Sequence, residues 1–573
     1  MIKRKGHRTS YNCLRNLFSY LVVPFFLLIS VTIGFAQTIP VGFTPLEEYI
    51  RRQQLLQKSD SNFSFHLRPV LPSEALNWES TFAEESNSDP LFKTIEFAGR
   101  GKVVFMPVFM QQQYNSHHPV GTNDGSMIPN KGMQRKFSAG IYVDYGPLSL
   151  QLMPEHVWAQ NLEFQEFDTR HYEVIWWRKY VWWNRIDAPV RFGQEVYSRL
   201  FAGQSSLRFN YKEFSTGIST ENLWWGPSKR NALLMSNNAP GFLHFTLNTR
   251  KPKQTAIGSF EGQFIAGRLN NSNFTPPDTA TRIFYLTNIY HAKEDRWRYI
   301  SGLTTTWQPK WVPGLFFGYA RTYQVYHDER TRFKDWLPFF NDRDDLNLDF
   351  DLLSTSHQQM QSVFFRYLLT KSNAEIYAEY GTNGNTRPLR EFIERPNLHR
   401  AFTAGVSKIY SLKKGSGIQF EFETTQMGQV VRSVIRDANS WYLHPHIRHG
   451  YTNMGQVIGA GVGPGGNVQY LAVNWFNGMN RIGVFAERFV HNNDFFYFAY
   501  EDSTDWRRFW TDLSTGILAD WRFGNLLLSS HFRITRSWNY QWYLRQNPGD
   551  PYFISGKNVT NLHASVNLAY LLN

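Results

Sequence analysis

The sequence predicts an all-β protein, a transmembrane antiparallel β-barrel of the outer membrane, on three observations. Aromatic residues make up 17% of the 573 residues, with 47 Phe, 29 Tyr and 19 Trp, as an apolar outer band and two aromatic girdles require. The mean hydropathy is nevertheless −0.43, and beyond residue 36 no stretch approaches 18 apolar residues, which excludes helical membrane spans. Apolar and polar residues alternate with a period of two from about residue 98 onward, as in strands with one apolar face.

Residues 1–36 have the pattern of a secretory signal peptide. The apolar run over 21–35 is shorter than the roughly 20 residues that a membrane-spanning helix needs. Cys13 is the only cysteine, so the mature chain is expected to contain no disulfide and no thiolate ligand. Cleavage lowers the formal net charge from +13 to +8, a modest excess that does not indicate a nucleic-acid partner. The basic head contains no acid and five cations: Lys3, Arg4, Lys5, Arg8 and Arg15.

Residues 37–97 are expected to form a periplasmic helical segment and a polar connector. Thr44 is a candidate cap, Pro45 suits the first helical position, and Glu47 follows three residues after the cap. The predicted helix, about 44–58, is too short to be stable alone, so it is expected to pack against the barrel lumen or its periplasmic rim. It is a candidate plug.

Residues 98–573 are expected to form the barrel, with roughly sixteen to eighteen strands if each crossing takes about 10 residues. A turn at 145–147 separates two alternating runs and predicts a hairpin. The final run is expected to pair with the first strand and close the barrel. Breaker-rich segments at 270–281, 326–353 and 381–396 are candidate outer loops. The clearest alternating apolar positions are Phe137, Ala139, Ile141, Val143; Ile376, Ala378, Tyr380; Ile418, Phe420, Phe422; and Leu562, Ala564, Val566, Leu568, Tyr570, Leu572.

Several motifs suggest chemistry, but their surroundings favour structural roles. The glycines over 461–466 match a dinucleotide fingerprint, yet a proline and a following β-like run predict a turn between strands. Three histidines over 444–449 lack the carboxylates that usually accompany metal ligands. An acidic run over 342–351 lacks the glycine and spacing of a calcium loop. We therefore predict no metal and no cofactor.

Glycoside cleavage requires a pair of carboxylates, and the chain offers Glu375 with Glu379 and Glu421 with Glu423. These residues alternate along strands, as lumen-facing residues would, and neither a serine-hydrolase elbow nor a zinc-protease motif is present. The sequence favours a protein that is not an enzyme.

The richest polar and aromatic stretch runs over 221–245. Trp224 and Trp225 precede a Gly-Pro breaker, and Arg230 and Asn238 follow. Flat rings beside amides and a guanidinium can hold sugar rings by stacking and hydrogen bonds. The alternative is an aromatic anchor at a membrane interface.

The chain resembles the Wzi-type capsule-assembly proteins, in the form found in Bacteroidetes-like bacteria. The most specific part is Glu221 to Asn238 with its Trp-Trp-Gly-Pro core. The other matching parts are Tyr114-Asn-Ser116, Gly121-Thr-Asn-Asp-Gly125, Pro154-Glu155 with Asn161, Ile186 to Gly193, Ala239 to Phe242, His449 to Thr452, Gly455-Gln456 and Gly459 to Gly465.

The resemblance implies a barrel of about eighteen strands with a helical plug, and a lectin that holds exported capsular polysaccharide at the cell surface. The predicted partners are thus surface polysaccharide and outer-membrane lipid, with a monomeric barrel. Trp224 and Trp225 would stack on sugars, while Glu221, Arg230 and Asn238 fix hydroxyls or a uronate. A porin or diffusion channel is the alternative function, and a glycan-cleaving enzyme is a further one.

Overall fold

The computed structural model divides the chain into two compact units, Met1–Gly34 and Phe35–Asn573. The first unit, with Cys13 and nearly all of the predicted signal peptide, lies outside the described residues. The acidic run over 342–351 and most of the predicted connector lie outside them as well. The structure describes residues 40–58, 63–70, 94–99, 101–169, 171–275, 283–284, 287–330, 333–337, 356–384, 393–394, 399–429, 440–500, 509–543 and 558–571.

Three α-helices and thirty short or long strands make up the regular structure of these residues. The helices are α1 (Thr44–Leu55), α2 (Glu173–Trp183) and α3 (Asn493–Tyr500). The strands are β1 (Leu67–Arg68), β2 (Thr94–Phe97), β3 (Gly101–Phe105), β4 (Val108–Asn115), β5 (Gly132–Ser138), β6 (Ile141–Tyr145), β7 (Leu148–Leu152), β8 (Glu155–Ala159), β9 (Tyr197–Phe201), β10 (Ser206–Tyr211), β11 (Phe214–Ser219), β12 (Trp224–Trp225), β13 (His244–Thr249), β14 (Lys253–Thr255), β15 (Gly258–Leu269), β16 (Ile283–Phe284), β17 (Thr287–Asn288), β18 (Arg298–Pro309), β19 (Leu315–Tyr326), β20 (His357–Leu369), β21 (Ala374–Asn383), β22 (Arg400–Ser411), β23 (Ser416–Gln426), β24 (Thr452–Asn453), β25 (Gln456–Val457), β26 (Asn467–Asn477), β27 (Asn480–Val490), β28 (Thr511–Phe523), β29 (Leu526–Trp538) and β30 (Val559–Tyr570).

One antiparallel sheet of 24 segments forms a closed wall. Five of the wall strands are interrupted and consist of two consecutive segments each: β3 with β4, β5 with β6, β7 with β8, β9 with β10, and β13 with β14. Strand β2 pairs only with β3 and is not counted as a wall strand. The wall therefore has eighteen strands. The last described strand, β30, pairs with β4 from His563↔Asn115 to Tyr570↔Val108, which closes the barrel as the sequence predicts.

Side chains alternate between the two faces of the wall. On β23, Phe420 and Phe422 point outward and are exposed, whereas Gln419, Glu421 and Glu423 point into the lumen and are buried. An apolar outer surface around a polar interior is the arrangement of outer-membrane barrels. None of the described helices is both long and apolar enough to cross a membrane, a finding that does not concern strands.

The two ends of the barrel differ in the length of their connections. At one end, here called the short-turn end, wall strands are joined by two to five residues; at the other, the loop end, by 16 to 40 residues. The described residues of the predicted outer loops lie at the loop end, although residue 326 still belongs to β19 and residues 381–383 to β21. Short turns face the periplasm in outer-membrane barrels.

Helix α1 lies inside the barrel at the short-turn end. Its Tyr49 and Ile50 pack with Leu527 and Ala569 of the wall. The predicted cap is wrong in detail: the helix begins at Thr44, and Phe43 takes the cap position without a side-chain hydrogen bond. Ten of its twelve residues are buried, so its stability comes from packing, as its short length requires.

Loops fold inward at the loop end and form an aromatic cap. Helices α2 and α3, which the period-two pattern did not predict, contribute Trp176, Tyr180, Trp183, Phe495 and Phe496 to the largest apolar cluster. This cluster continues into the lumen along the 220–243 and 440–466 connections. Helix α1 and these inward loops together occupy the interior.

Candidate functional site

The connection from β11 to β13 enters the lumen and returns to the wall. At its turning point β12 pairs antiparallel with β1, so that Trp225 lies opposite Leu67 and Trp224 lies opposite Arg68. The segment predicted as the binding site therefore meets the N-terminal segment inside the barrel.

Trp225 is fully buried against the wall. Its indole Nε1 donates a 2.8 Å hydrogen bond to Oε1 of Gln263. A Cβ at Gly302 would lie 2.7 Å from the Trp225 ring, so only glycine at that wall position leaves room for the indole. Neither ring face is available for a sugar, and Trp225 packs as a core residue.

Trp224 is also buried, at 3% exposure. The guanidinium of Arg68 lies 4.6 Å from the centre of its ring and covers one face, in the geometry of a cation–π contact. The adjacent Gly226 has φ +108°, and a Cβ there would approach Glu379 Oε2 to 2.9 Å. The Gly-Pro breaker thus permits a sharp turn close to the wall.

Glu221 and Asn238 hold the two ends of the segment in place. Glu221 is buried and accepts hydrogen bonds from Arg208 Nη2 at 2.6 Å and from Ser219 Oγ at 2.9 Å. Asn238 donates from Nδ2 to the backbone oxygen of Val457 at 3.0 Å. Both side chains are engaged with protein groups in this structure.

Lys229 lies at the centre of a buried charge network. Its Nζ lies 3.0 Å from Glu48 of α1, 2.5 Å from Glu421 and 3.7 Å from Glu375. Burial alone would lower the pKa of Lys229, but the three carboxylates raise it. Burial alone would raise the pKa of Glu48, but Lys229 and nearby arginines, including Arg51, lower it to about 2. The network joins the helix, the inward segment and two wall strands.

Glu423 binds the backbone of the same segment. Its carboxylate accepts hydrogen bonds from the amides of Lys229 at 2.8 Å, Arg230 at 3.1 Å and Asn231 at 3.1 Å. The hydroxyl of Tyr377 donates a fourth, at 2.7 Å. The position of the Arg230 backbone is therefore fixed from the wall.

Arg230 faces a polar cavity of about 290 Å³ inside the barrel. Its guanidinium stacks 3.8 Å from the centre of the Tyr470 ring and makes a long contact, 3.4 Å, with Glu487. The side chain is 29% exposed, whereas that of Glu221 is buried. Trp224 also lines the cavity, at its buried edge.

The opposite side of the cavity comes from the 116–131 loop and β5. Lys136 Nζ donates to the backbone oxygen of Asp124 at 3.3 Å, and Gln113 Nε2 donates to the Asp124 carboxylate at 2.7 Å. Burial raises the pKa of Asp124 to about 6, although Gln113 and Lys136 oppose this shift. Charged, amide and aromatic groups thus surround one small space, the set of groups that sugars bind.

The structure brings together only part of the predicted site. Arg230 and Trp224 line the cavity, whereas Trp225, Glu221 and Asn238 are not among its lining residues. Asp124 and Lys136 were missed as site residues. A signal for Asp124 did exist, because it lies in the Gly121 to Gly125 motif, but its distance of over one hundred residues from Arg230 gave no reason to join them.

The carboxylate pairs have structural partners. Glu375 bonds Arg51 and Arg366, at 3.2 and 2.7 Å, and Glu379 accepts from the backbone amide of Leu233 at 3.3 Å. The glycines over 461–466 form turns before β26, as predicted. Within the described part of the chain, no group of three or more His, Cys, Asp or Glu side chains is arranged to hold a metal ion.

A family model described as "Capsule assembly protein Wzi" matches residues 109–523, which is more than half of the chain. The chain belongs to the Wzi family. The match includes the Trp-Trp-Gly-Pro segment, the 121–125 motif and the wall strands that hold them. A comparison with curated protein sequences finds no match.

Solved structures with a similar fold include Wzi of Escherichia coli. It is described as an outer-membrane protein involved in group 1 capsule assembly and a carbohydrate-binding β-barrel; its TM-score is 0.54 at 11% identity, over 94% of this chain and 99% of that chain. OccAB2 of Acinetobacter baumannii aligns with a TM-score of 0.38 at 12% identity, over 81% and 97%. OccK7 of Pseudomonas aeruginosa aligns with a TM-score of 0.37 at 10% identity, over 83% and 99%.

Proposed function

We propose that this protein is an outer-membrane lectin that attaches exported capsular polysaccharide to the cell surface, acting as a monomeric barrel without catalysis or cofactor. Family membership supports the role in capsule assembly. The luminal cavity carries the proposal for binding, because two segments of the family match meet there and present a guanidinium, a lysine, a carboxylate and an aromatic ring.

We place the sugar contact at Arg230, Asp124 and Lys136. Arg230 can donate paired hydrogen bonds to vicinal hydroxyls or to a uronate carboxylate, and Asp124 can accept from a hydroxyl. A volume of about 290 Å³ suits a short piece of polymer rather than a long chain. Trp224, Trp225, Glu221 and Asn238 hold the segment that presents Arg230.

The filled interior favours a lectin over a diffusion channel. Helix α1 enters from the short-turn end, the 220–243 and 440–466 segments enter from the loop end, and Lys229 links the two sets by ion pairs. In a planar bilayer the purified protein is expected to give no steady open conductance. Stable pores would instead support the porin function.

The partners of the carboxylates favour binding over cleavage. Glu375 and Glu379 are occupied by arginine and backbone groups, and Glu421 and Glu423 by Lys229 and the backbone. A glycosidase needs one free acid and one free base or nucleophile. Incubation of pure protein with capsular glycan is expected to release no reducing ends.

A glycan array with the purified full-length barrel tests binding and identifies the sugar. Arg230→Gln, which removes the paired donors, is expected to weaken binding of the preferred glycan at least about tenfold, the scale of a lost charged hydrogen bond. Arg135→Gln is the matched control, since Arg135 is exposed on the outer face of β5. Equal affinity of wild type and Arg230→Gln would contradict this site.

Cells provide the second test. Deleting the gene is expected to release capsule into the medium while polymer synthesis continues, and Arg135→Gln is expected to restore retention. Normal capsule retention in the deletion strain would contradict the proposed function itself.

A further inference from the structure

Charge is distributed very unevenly between the two faces of the wall. Every Asp and Glu in the eighteen wall strands faces the lumen. Arginines, in contrast, also face outward near the loop end. These outward arginines are Arg135, Arg268, Arg321, Arg400, Arg488 and Arg536.

Two of these arginines lie in one row across neighbouring strands. The register joins Gln469 to Arg488, Arg488 to Leu513, Leu513 to Arg536, and Arg536 to Thr560. Paired residues in a sheet point to the same face, and neighbouring strands lie about 4.8 Å apart. The two arginines are therefore about 10 Å apart on the outer surface, with an exposed leucine between them.

Neither guanidinium is neutralised by a carboxylate in the described residues. Arg488 Nη1 donates to Gln469 Oε1 at 2.8 Å, and Arg536 Nη1 donates to Thr560 Oγ1 at 2.9 Å. Both side chains are exposed. A guanidinium has five N–H donors, so each has donors beyond the one in that bond, and the row carries two positive charges.

An open pocket of about 890 Å³ adjoins this row. Arg488 lines the pocket, and so does Trp538, which is on the same strand as Arg536. Val490 and Phe509 are its other apolar lining residues. The other polar lining residues are neutral hydroxyls and amides: Thr424, Gln426, Asn467, Gln469, Asn493, Thr511, Asn539 and Asn558.

The position of this pocket relative to the lipid bilayer follows from the outward residues of the same strands. Toward the short-turn end the outward residues become apolar, with Val484 and Ile482 on β27 and Ile517 on β28 all exposed. The arginine row thus lies where the apolar band ends at the loop end, which is the headgroup level of the outer leaflet.

We propose that this outer surface binds the phosphorylated sugar headgroup of an outer-leaflet glycolipid. Arg488 and Arg536 bind two phosphates, because a guanidinium matches a phosphate with paired hydrogen bonds. The amides of the pocket bind the sugar hydroxyls, Trp538 packs on a ring, and Leu513 contacts the start of the acyl chains. The absence of outward acids in the wall strands removes repulsion of the anionic headgroup.

The test compares full-length protein in nanodiscs with three lipids: diphosphoryl lipid A, its dephosphorylated form, and phosphatidylcholine. Native mass spectrometry counts the bound lipids and gives their relative affinities. Wild type is expected to bind diphosphoryl lipid A at least tenfold more tightly than the dephosphorylated form. Equal binding of the two forms would overturn the proposal without any variant.

The double variant Arg488→Gln/Arg536→Gln is expected to lose at least tenfold in affinity for diphosphoryl lipid A and to keep the wild-type affinity for the dephosphorylated form. Lys408→Gln, an outward cation near the short-turn end of β22, is the control and is expected to bind as wild type. Unchanged phosphate preference in the double variant would overturn the assignment. Capsular glycan binding should be unaffected, which separates this surface from the luminal cavity.

Discussion

Two buried lysines, both inside the protein, are stabilised in opposite ways. Lys229 in the lumen lies within 3.7 Å of three carboxylates, and these raise its pKa. Lys179 in helix α2 lies in the loop-end cap, and no carboxylate comes within ion-pair distance of it among the residues that the structure describes. Burial lowers the pKa of Lys179 to about 7, with only partial opposition from Glu166.

Aromatic rings surround Lys179 instead. Its Nζ lies 5.0 Å from the ring centres of Phe167 and Trp183, 4.7 Å from Phe495 and 5.2 Å from Trp542. Cation–π contacts are weaker than ion pairs in a buried site. The difference shows that charge fixes the position of the luminal segments, whereas aromatic packing holds the cap.

The largest effect is expected from Lys229→Met, which leaves Glu48, Glu421 and Glu375 facing one another without their cation. Breaking a buried pair by removing one partner costs about 3–5 kcal/mol. Hydrogen exchange over α1 should accelerate strongly, while exchange over α2 stays at the wild-type rate. Lys408→Met, at a half-buried lysine on the outer face of β22, is the control. Equal acceleration in both helices would show that the two regions are not independent.

Trp225→Leu is expected to have the next largest effect. It removes buried aromatic surface and the bond to Gln263, and large core truncations of this kind cost roughly 2–4 kcal/mol. We expect a lower yield of folded barrel, measured by heat-modifiable migration in gels, because Trp225 is a core residue. A fully stable barrel that has lost glycan binding would instead make the indole a sugar contact.

Lowering the pH is expected to destabilise the region around Lys229 more than the region around Lys179. This effect should be smaller than that of either substitution above. The folded pKa of Glu48, about 2, lies below its unfolded value of 4.5, so its stabilising contribution is present above pH 4.5 and is lost as the pH falls from 4.5 toward 2. The protection factors of the α1 amides, which are the intrinsic exchange rates divided by the observed ones, should therefore fall by up to about tenfold per pH unit as the pH drops through this window. The protection factors of α2, which is not held by such a carboxylate, should change less.

The smallest effect is expected from Lys179→Met. A folded pKa of about 7 against 10.5 means that burying the charged amine disfavours folding, and that stability rises with pH between 7 and 10.5. Methionine removes this cost and the cation–π contacts together. We expect a change within about 1 kcal/mol. The rise of the α2 protection factors between pH 7 and 9 is expected to be absent in this variant. A large destabilisation would mean that the cation is essential to the cap.

The wall could be predicted from the sequence because its pattern is local. Alternation placed Phe420 and Phe422 on one face and Glu421 and Glu423 on the other, and the final run paired with the first strand as expected. The interior could not be predicted in this way. Nothing near Lys229 indicates that its partner lies in a helix 181 residues earlier in the chain.

The surroundings of the predicted binding residues could not be predicted either, because they also depend on contacts that are distant in the sequence. A Trp-Trp pair beside polar residues is compatible with a sugar platform and with an aromatic anchor at the membrane interface. In the structure the ring of Trp225 is buried against Gly302, 77 residues away, and no local pattern indicates this contact. Helix α2 was missed because Ile175, Trp176, Tyr180 and Trp183 are mixed with further aromatics on its other face, so no clear apolar and polar sides appear. The cavity depends on how Asp124 and Arg230 come together in three dimensions.

The pairing of β30 with β4 sets a condition on the order of assembly. The seam joins the last described strand to the first complete wall strand, so the ring can close only after nearly the whole chain is present. Helix α1 enters through the short-turn end and the 220–243 segment through the loop end, so neither has to cross the closed wall. A chain stopped before β30 would keep two open sheet edges and would be exposed to aggregation during its passage to the membrane.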